Sequence, residues 1–284
     1  MATKTKIVII GILWVLFSLN LVTIWGISDQ SSQGVAMTAA TTANPVILVT
    51  FDNNAHDPRL ATAWGFSCLV RGLEKTILFD TGGSGSVLLS NMEKMGLDPS
   101  AVDLVVLSHI HGDHTGGLDG FLRRHARVSV YLPQSFPADF KGDVKRAGAQ
   151  VVEVSGPQPI CAGAVTTGEL GSGWGLREQS LVLETAKGLV VITGCAHPGI
   201  VNIVEKAKAV VKGEILLVMG GFHLAGHSAH DIAGIIKRFQ QLGVRYVGPC
   251  HCSGLAAQQQ MAAAYGDKYL AIGVGSIINI GDLK

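Results

Sequence analysis

The sequence predicts a mixed α/β (α+β) protein in which β-sheets lie in the middle and helices cover them on the outside. From Pro45 onward, apolar runs alternate with helical patterns. The early half of this region is dominated by strands, and both halves end in strand–helix units. No second linker or internal repeat interrupts it. We therefore expect one domain over residues 45–284, preceded by an apolar segment at 1–27 and a flexible linker at 28–44.

The elements of the first half follow from short runs of β-branched and aromatic residues bounded by Gly, Asp or Asn. A glycine-rich loop at 82–85 precedes the first helix, for which Ser86 is the expected cap. The predicted elements are strands at 46–51, 66–71 and 76–80, a helix from Ser86 to 95, a strand at 104–108, a short helix at 118–125, and strands at 128–132 and 150–154.

The second half is predicted to begin with a hairpin and to continue with alternating helices and strands. The loops at 53–64, 135–145 and 171–177 are expected to shape a pocket. The predicted elements are a hairpin of strands 181–184 and 189–193, a helix at 202–212, a strand at 215–219, a helix at 229–242, a strand at 246–248, a helix at 255–264, and strands at 270–274 and 277–280.

The composition excludes two classes of protein. The chain has 284 residues, with 22 Lys and Arg against 21 Asp and Glu, so its formal charge is +1. A protein that neutralises nucleic-acid phosphates normally has a basic excess, and we expect no nucleic-acid partner. With 48% hydrophobic and only 15% charged residues, the chain is not intrinsically disordered.

The N-terminal segment is long and apolar enough to cross a membrane. Residues 7–27 contain no charge, Lys4 and Lys6 precede them, and Asp29 follows. This pattern favours a single-pass signal anchor with the catalytic domain outside the cytoplasm. A cleaved signal peptide is the first alternative, because the stretch near Ala40 is rich in small residues, and cleavage would make the protein secreted. A buried core helix is the second alternative.

Four side chains that bind metals occur within six positions of the segment 107–117, LSHIHGDHTGG. His109 and His111 stand two apart where a buried strand ends, so both imidazoles can reach one metal. Asp113 and His114 follow, where Gly112 lets the chain turn. These two residues could serve a second metal on the other side of a bridging water.

The histidine motif resembles the H-x-H-x-D-H signature of the metallo-β-lactamase superfamily. The resemblance continues in order through the segments FDTG, TGCAHPG, GGFHL and PCHCSG at 79–82, 193–199, 220–224 and 249–254. The last three are similar to the branch named for an archaeal dihydropterin synthase, as are WGFSCLV at 64–70 and EQSLVLET at 178–185. Membership implies a four-layer αββα sandwich with metals at one edge between the sheets.

The resemblance also implies a set of metal ligands for two divalent ions. His109 and His111 correspond to ligands of the first ion, and Asp113, His114 and His251 to ligands of the second. The histidine that the superfamily places before the strand at Ser180 is missing. His197 could fill the vacant position, and Cys195 lies where many members have a bridging Asp. The ions are expected to be zinc, with iron or manganese as alternatives.

Several other residues are expected near the site or excluded from it. Asp80 is predicted to orient the metal-binding loop, Glu178 to contact the substrate or support a ligand, and His223 to line the site or bind metal. His227 and His230 are interpreted mainly as a solvated helix face. Cys250 and Cys252 are too close in sequence for an easy disulfide, and no disulfide framework is expected.

These residues favour a metal-dependent hydrolase that acts on a small ester, lactone, amide or phosphate, with Asp113 orienting the attacking hydroxide. A second hypothesis is a transferase that joins a pterin methyl diphosphate to an arylamine, as the branch name implies. An external location counts against that substrate. A third hypothesis is a non-catalytic metal-binding module. The sequence does not indicate an oligomeric state.

Overall fold

The computed structural model describes residues 44–171 and 175–284. The predicted membrane anchor and nearly all of the predicted linker lie outside the described residues. Within the described ranges, every helix is too short or too polar to span a membrane.

In the described part of the chain, fifteen strands are distributed over two large sheets and one small one. In chain order they are β1 (Val46–Phe51), β2 (Ser67–Arg71), β3 (Ile77–Phe79), β4 (Leu104–Val106), β5 (Ser129–Pro133), β6 (Gln150–Val154), β7 (Gln158–Cys161), β8 (Ala164–Thr166), β9 (Leu170–Gly171), β10 (Arg177–Glu178), β11 (Leu181–Thr185), β12 (Gly188–Thr193), β13 (Ile215–Gly221), β14 (Tyr246–Cys250) and β15 (Ile277–Asn279).

The first large sheet has the order β15-β1-β2-β3-β4-β5-β6, and β3 to β6 run parallel. The second has the order β14-β13-β12-β11-β8-β7, and β12 to β14 run parallel. Strands β9 and β10 form a separate antiparallel pair. The carboxyl ends of parallel strands meet at one edge of a sheet, so the loops that follow β4, β12 and β14 can come together.

Within residues 44–171 and 175–284, seven α-helices accompany the sheets: α1 (Gly85–Lys94), α2 (Gly112–Thr115), α3 (Leu118–Arg124), α4 (Ala138–Arg146), α5 (Ile200–Val210), α6 (Ala229–Gln241) and α7 (Leu255–Tyr265). Four short 3-10 helices cover Pro99–Ala101, His251–Ser253, Gly266–Lys268 and Ile280–Asp282.

Three apolar clusters define four layers. The central cluster lies between the two sheets and includes Phe66 and Phe79 from the first and Ile192 and Met219 from the second. A second cluster packs α1, α3 and α4 against the outer face of the first sheet. A third packs α5, α6 and α7 against the outer face of the second. The predicted four-layer αββα sandwich is therefore confirmed.

Some predicted elements differ from the structure. Residues 270–274 form no strand, although Ile272 and Val274 are buried, because this segment contributes only isolated bridges to its neighbours. The predicted pocket loop at 135–145 is largely helix α4, whose Val144 packs on the first sheet. Helix α1 is capped by the side chain of Ser84 rather than Ser86. Strands β7 and β8 were not predicted.

Candidate metal centre

Seven of the predicted ligands gather where the loops after β4, β12 and β14 meet. The loop after β4 supplies four of them, the loop after β12 supplies Cys195 and His197, and His251 directly follows β14. They form two groups, and within each group the potential ligand atoms lie within 4.8 Å of one another. His109 and His114, one from each group, have ring centroids only 4.3 Å apart.

The first group consists of His109, His111 and His197. His109 Nε2 lies 3.2 Å from His111 Nδ1. The ring centroid of His197 is 4.7 Å from that of His109 and 4.9 Å from that of His111. His109 is fully buried, and burial lowers its pKa to about 3. A neutral imidazole is the form that binds metal, so His109 has a ligand's protonation state.

The second group consists of Asp113, His114, Cys195 and His251. His114 Nε2 lies 3.1 Å from Cys195 Sγ and 3.6 Å from Asp113 Oδ2. Burial lowers the pKa of His114 to about 4, so this imidazole too is neutral near pH 7. Cys195 and His197 therefore lie in different groups, and His197 lies beside His109 and His111.

Glu178 organises the loop that carries both residues. Its Oε1 accepts hydrogen bonds from the backbone N–H groups of Cys195 and Ala196, at 2.9 and 2.8 Å. Its Oε2 is 2.9 Å from both the backbone nitrogen and Nδ1 of His197. Burial raises the pKa of Glu178, but the His109 and His197 imidazoles and these hydrogen bonds lower it more, so it stays ionised. Glu178 therefore contacts His197, one of the predicted ligands, at both the backbone and the ring.

Asp80 plays the corresponding part for the histidine motif. Its carboxylate accepts hydrogen bonds from the backbone N–H and hydroxyl of Ser108, at 2.6 and 2.7 Å. Asp80 Oδ2 lies 2.7 Å from His114 Nδ1, and Ser108 Oγ lies 2.9 Å from His109 Nδ1. Asp80 thus contacts one predicted ligand, His114, directly and another, His109, through Ser108.

His251 is held by Asn53, which the sequence analysis did not single out. Asn53 Oδ1 is 2.9 Å from His251 Nδ1, and its Nδ2 donates to the His251 carbonyl oxygen at 3.2 Å. His251 Nε2 is buried and has no hydrogen-bond partner among the described residues. It lies 3.2 Å from Asp113 Oδ2, but without the alignment of a hydrogen bond.

Backbone strain is concentrated at this site. Among the described residues, four non-glycine residues have positive φ angles, namely Asp80 at 55°, Ala196 at 60°, His223 at 53° and His251 at 48°. Such conformations cost about 1–3 kcal/mol each and persist where the surrounding structure enforces them. Ala196 and His251 lie in segments that carry the ligand groups, Asp80 contacts His114, and His223 lies beside His197. In contrast, Gly112 has no left-handed φ and faces open space, so the turn after His111 does not require a glycine.

The other residues singled out from the sequence lie at the exposed side of the site. His223 is exposed, with its ring centroid 4.5 Å from that of His197, and forms a third group with Cys195 and Cys252. His227 and His230 are both exposed, and His227 lines a cavity of about 230 Å³ together with His197 and His223. Trp64, in a predicted pocket loop, is 60% exposed, and its ring centroid is 4.8 Å from that of His251.

The two ligand groups fit divalent cations by their chemistry. Neutral imidazoles, a carboxylate and a thiol are the donors that zinc and iron prefer. Among the described residues, the buried Nε2 of His251 has no aligned hydrogen-bond partner and faces the Asp113 carboxylate at 3.2 Å. Burial of such an atom is costly unless another atom occupies its lone pair. A metal ion held by the second group would remove that cost.

The sequence profile of the metallo-beta-lactamase superfamily matches residues 65–251, more than half of the chain. The chain belongs to the metallo-beta-lactamase superfamily. The matched range contains every residue of both ligand groups. The predicted recognition is therefore confirmed.

Within the superfamily, the chain is similar to proteins with different descriptions. It is 28% identical to the 7,8-dihydropterin-6-methyl-4-(beta-D-ribofuranosyl)-aminobenzene-5'-phosphate synthase of Methanocaldococcus jannaschii, over 73% of this chain and 85% of that protein. It is 29% identical to a crystal structure described as a metal-dependent hydrolase of the β-lactamase superfamily, with a TM-score of 0.68, over 83% of this chain and 98% of the other. Human tRNase Z, short form, shares the fold alone, at 13% identity, a TM-score of 0.57, and coverage of 83% and 99%.

Proposed function

We propose that the protein is a metal-dependent hydrolase that acts on a small ester, lactone, amide or phosphate. The observation that carries this proposal is the adjacency of the two ligand groups, whose His109 and His114 rings are 4.3 Å apart between centroids. Two groups this close suit a pair of ions that act on one substrate. The crystal structure that is 29% identical to this chain is described as a metal-dependent hydrolase, which supports the same reaction class.

His109, His111 and His197 would hold one divalent cation, and Asp113, His114, Cys195 and His251 a second. When bound, such ions lower the pKa of water to near neutrality and polarise a carbonyl or phosphoryl oxygen. Zinc suits the imidazole and thiolate donors best, and iron or manganese are the alternatives.

The side chains of the chain supply orientation and proton transfer. Asp113 is partly exposed and close to His114 and His251, so its carboxylate can orient the attacking water. His223 is exposed beside His197, and contact with Cys252 raises its pKa. A protonated imidazole at this position can donate a proton to the leaving group.

The second candidate is a transferase that joins a pterin methyl diphosphate to an arylamine. The observation that favours it is the similarity to the archaeal synthase, which extends over 85% of that protein. The exposed ring of Trp64 beside His251 offers a face on which a planar ring could stack.

We also propose that residues 1–27 anchor the protein in a membrane with the catalytic domain outside the cytoplasm. The uncharged stretch at 7–27 and the lysines that precede it support this arrangement. Resistance of the domain to protease added to intact cells would contradict it, whereas cleavage at the domain surface with retention of a membrane-bound fragment is expected.

The hydrolase proposal is tested with the zinc-loaded protein and a panel of esters, lactones, amides and phosphates. We expect turnover of at least one class, and we expect His109→Ala and Asp113→Asn each to abolish it while the circular dichroism spectrum is unchanged. Retained activity in both variants would refute the proposal. Product formation from a pterin methyl diphosphate and an arylamine, with release of pyrophosphate and without hydrolysis, would favour the transferase.

A further inference from the structure

Cys252 has a buried thiol beside the candidate metal centre. It lies in the 3-10 helix after His251 and is only 5% exposed. Its Sγ lies within 4.8 Å of Cys195 Sγ and of a ring nitrogen of His223. It is also 3.7 Å from the carbonyl oxygen of Cys195. The thiol of Cys252 therefore lies close to the thiol of Cys195, which belongs to the second ligand group.

The backbone around this thiol pair is packed so closely that one neighbour must be glycine. A Cβ atom at Gly221 would lie 2.7 Å from Cys252 Sγ and 3.2 Å from Cys195 Cα. Gly221 ends β13 and lies beside both loops. No side chain at position 221 therefore separates the two cysteines.

The other three cysteines have different surroundings. Cys68 and Cys250 are buried in the cluster between the sheets, and Cys161 is a half-buried residue of β7. Cys250 is two residues from Cys252, but its side chain packs in the central core rather than in the third group. The pair that shares a group with an exposed imidazole is Cys195 and Cys252.

We propose that Cys195 and Cys252 form a reversible disulfide that switches off the second ligand group. The oxidant is a peroxide: two thiols and one hydrogen peroxide give one disulfide and two waters, so each sulfur loses one electron and one proton. A disulfide requires the sulfurs to approach to about 2.0 Å. The side-chain rotation that brings the two sulfurs together moves Cys195 Sγ away from His114 Nε2, which now lies 3.1 Å from it.

The consequence for the metal centre rests on the proposed function, whereas formation of the bond does not. A disulfide sulfur is a poor metal ligand compared with a thiolate. The second group would keep Asp113, His114 and His251 and lose its only sulfur donor. Reduction by a dithiol would restore it.

The test uses the purified full chain loaded with zinc and treated with hydrogen peroxide. Free thiols are then alkylated, and the protein is digested with trypsin. Cys195 falls in the peptide 188–206, and Cys250 and Cys252 fall together in 246–268. We expect a cross-link between these peptides, a loss of two of the five alkylated thiols, a loss of about one zinc per chain, and reversal of all three changes by dithiothreitol.

Two variants show which cysteine forms the bond with Cys195 and whether the half-buried Cys161 takes part. Cys252→Ser should bind the same amount of zinc as the wild type before oxidation and show no cross-link, whereas Cys161→Ser, the matched control, should cross-link normally. If Cys252→Ser does not fold, fragmentation of the wild-type cross-linked peptide distinguishes Cys250 from Cys252.

Four results would overturn the proposal. The first three are unmodified Cys195 and Cys252 after oxidation of Cys161, a bond through Cys250, and a cross-link that leaves the zinc content unchanged. A third zinc per chain that disappears in Cys252→Ser would also overturn it, since the cluster would then be a metal site. A protein that cross-links and releases zinc but hydrolyses nothing would support the switch and refute only the hydrolase.

Discussion

Glu178 Oε2 lies 2.9 Å from both the backbone nitrogen and the ring Nδ1 of His197. The carboxylate accepts a hydrogen bond from the Nδ1–H group, so the Nε2 lone pair of His197 is available to a metal. The first ligand group therefore depends on a buried side chain from β10, in a different part of the chain from the loop that carries His197.

Replacing Glu178 is expected to damage both the loop and the metal centre. The carboxylate of Glu178 now accepts four hydrogen bonds. In Glu178→Gln, the amide NH₂ group would face two of these four donors and could not accept from them. We expect a loss of about 2 kcal/mol in the unfolding free energy of the metal-free protein. We also expect a 10- to 100-fold weaker affinity for one zinc ion. Urea unfolding and competition with a chromophoric chelator measure the two effects.

Glu205→Gln is the matched control, because Glu205 is an exposed partner of Arg238. It should change the unfolding free energy by less than about 0.5 kcal/mol and leave zinc affinity unchanged. Equal behaviour of the two variants would mean that Glu178 does not support the site.

Asn53 is expected to set the affinity of the second ligand group, because it holds His251 at both the ring and the backbone. Asn53→Leu removes both hydrogen bonds and should weaken binding of one zinc ion 10- to 100-fold. Asn53→Asp keeps an acceptor for Nδ1 and should retain most of the affinity. Zinc competition on both variants checks this, and an unaffected Asn53→Leu would contradict it.

Substitution by alanine should destabilise the protein at one glycine near the candidate ligands and have little effect at another. A Cβ at Gly194 would lie 2.1 Å from Ser108 Oγ and 2.9 Å from Asp80 Oδ2, whereas a Cβ at Gly112 would meet nothing within 4 Å. We expect Gly194→Ala to cost about 1–3 kcal/mol of unfolding free energy and to lower metal content. Gly112→Ala should be within about 0.5 kcal/mol of the wild type. A tolerated Gly194→Ala would show that the packing between the loops is adjustable.

The sequence was most informative where one local pattern carries both structure and chemistry. Runs of β-branched and aliphatic residues predicted the strands β1, β6 and β12 to within one residue, because this local signal can be read without knowledge of the partner strands. The four candidate ligands of the histidine motif could be identified because they are close in sequence. The helix α4 was missed because its sequence, ADFKGDVKR, has a weak apolar pattern with a central glycine.

Asn53 could not be predicted, because it contacts a residue 198 positions away. Glu178 was expected near the site, but the sequence does not show that it binds a loop 17 to 19 positions further on. His197 was the candidate for the vacant position, and Cys195 lay where many members have a bridging Asp. The turn at Ala196, with its φ of 60°, allows them to serve different groups.

The metal content per chain tests the central claim most directly. Elemental analysis of the purified, zinc-loaded protein should give about two atoms per chain, because two ligand groups are present. His109→Ala, which removes one ligand of the first group, should give about one atom while the fold is retained. A wild-type protein that binds no metal, or a His109→Ala variant with the same content as the wild type, would contradict a dimetal centre built on these residues.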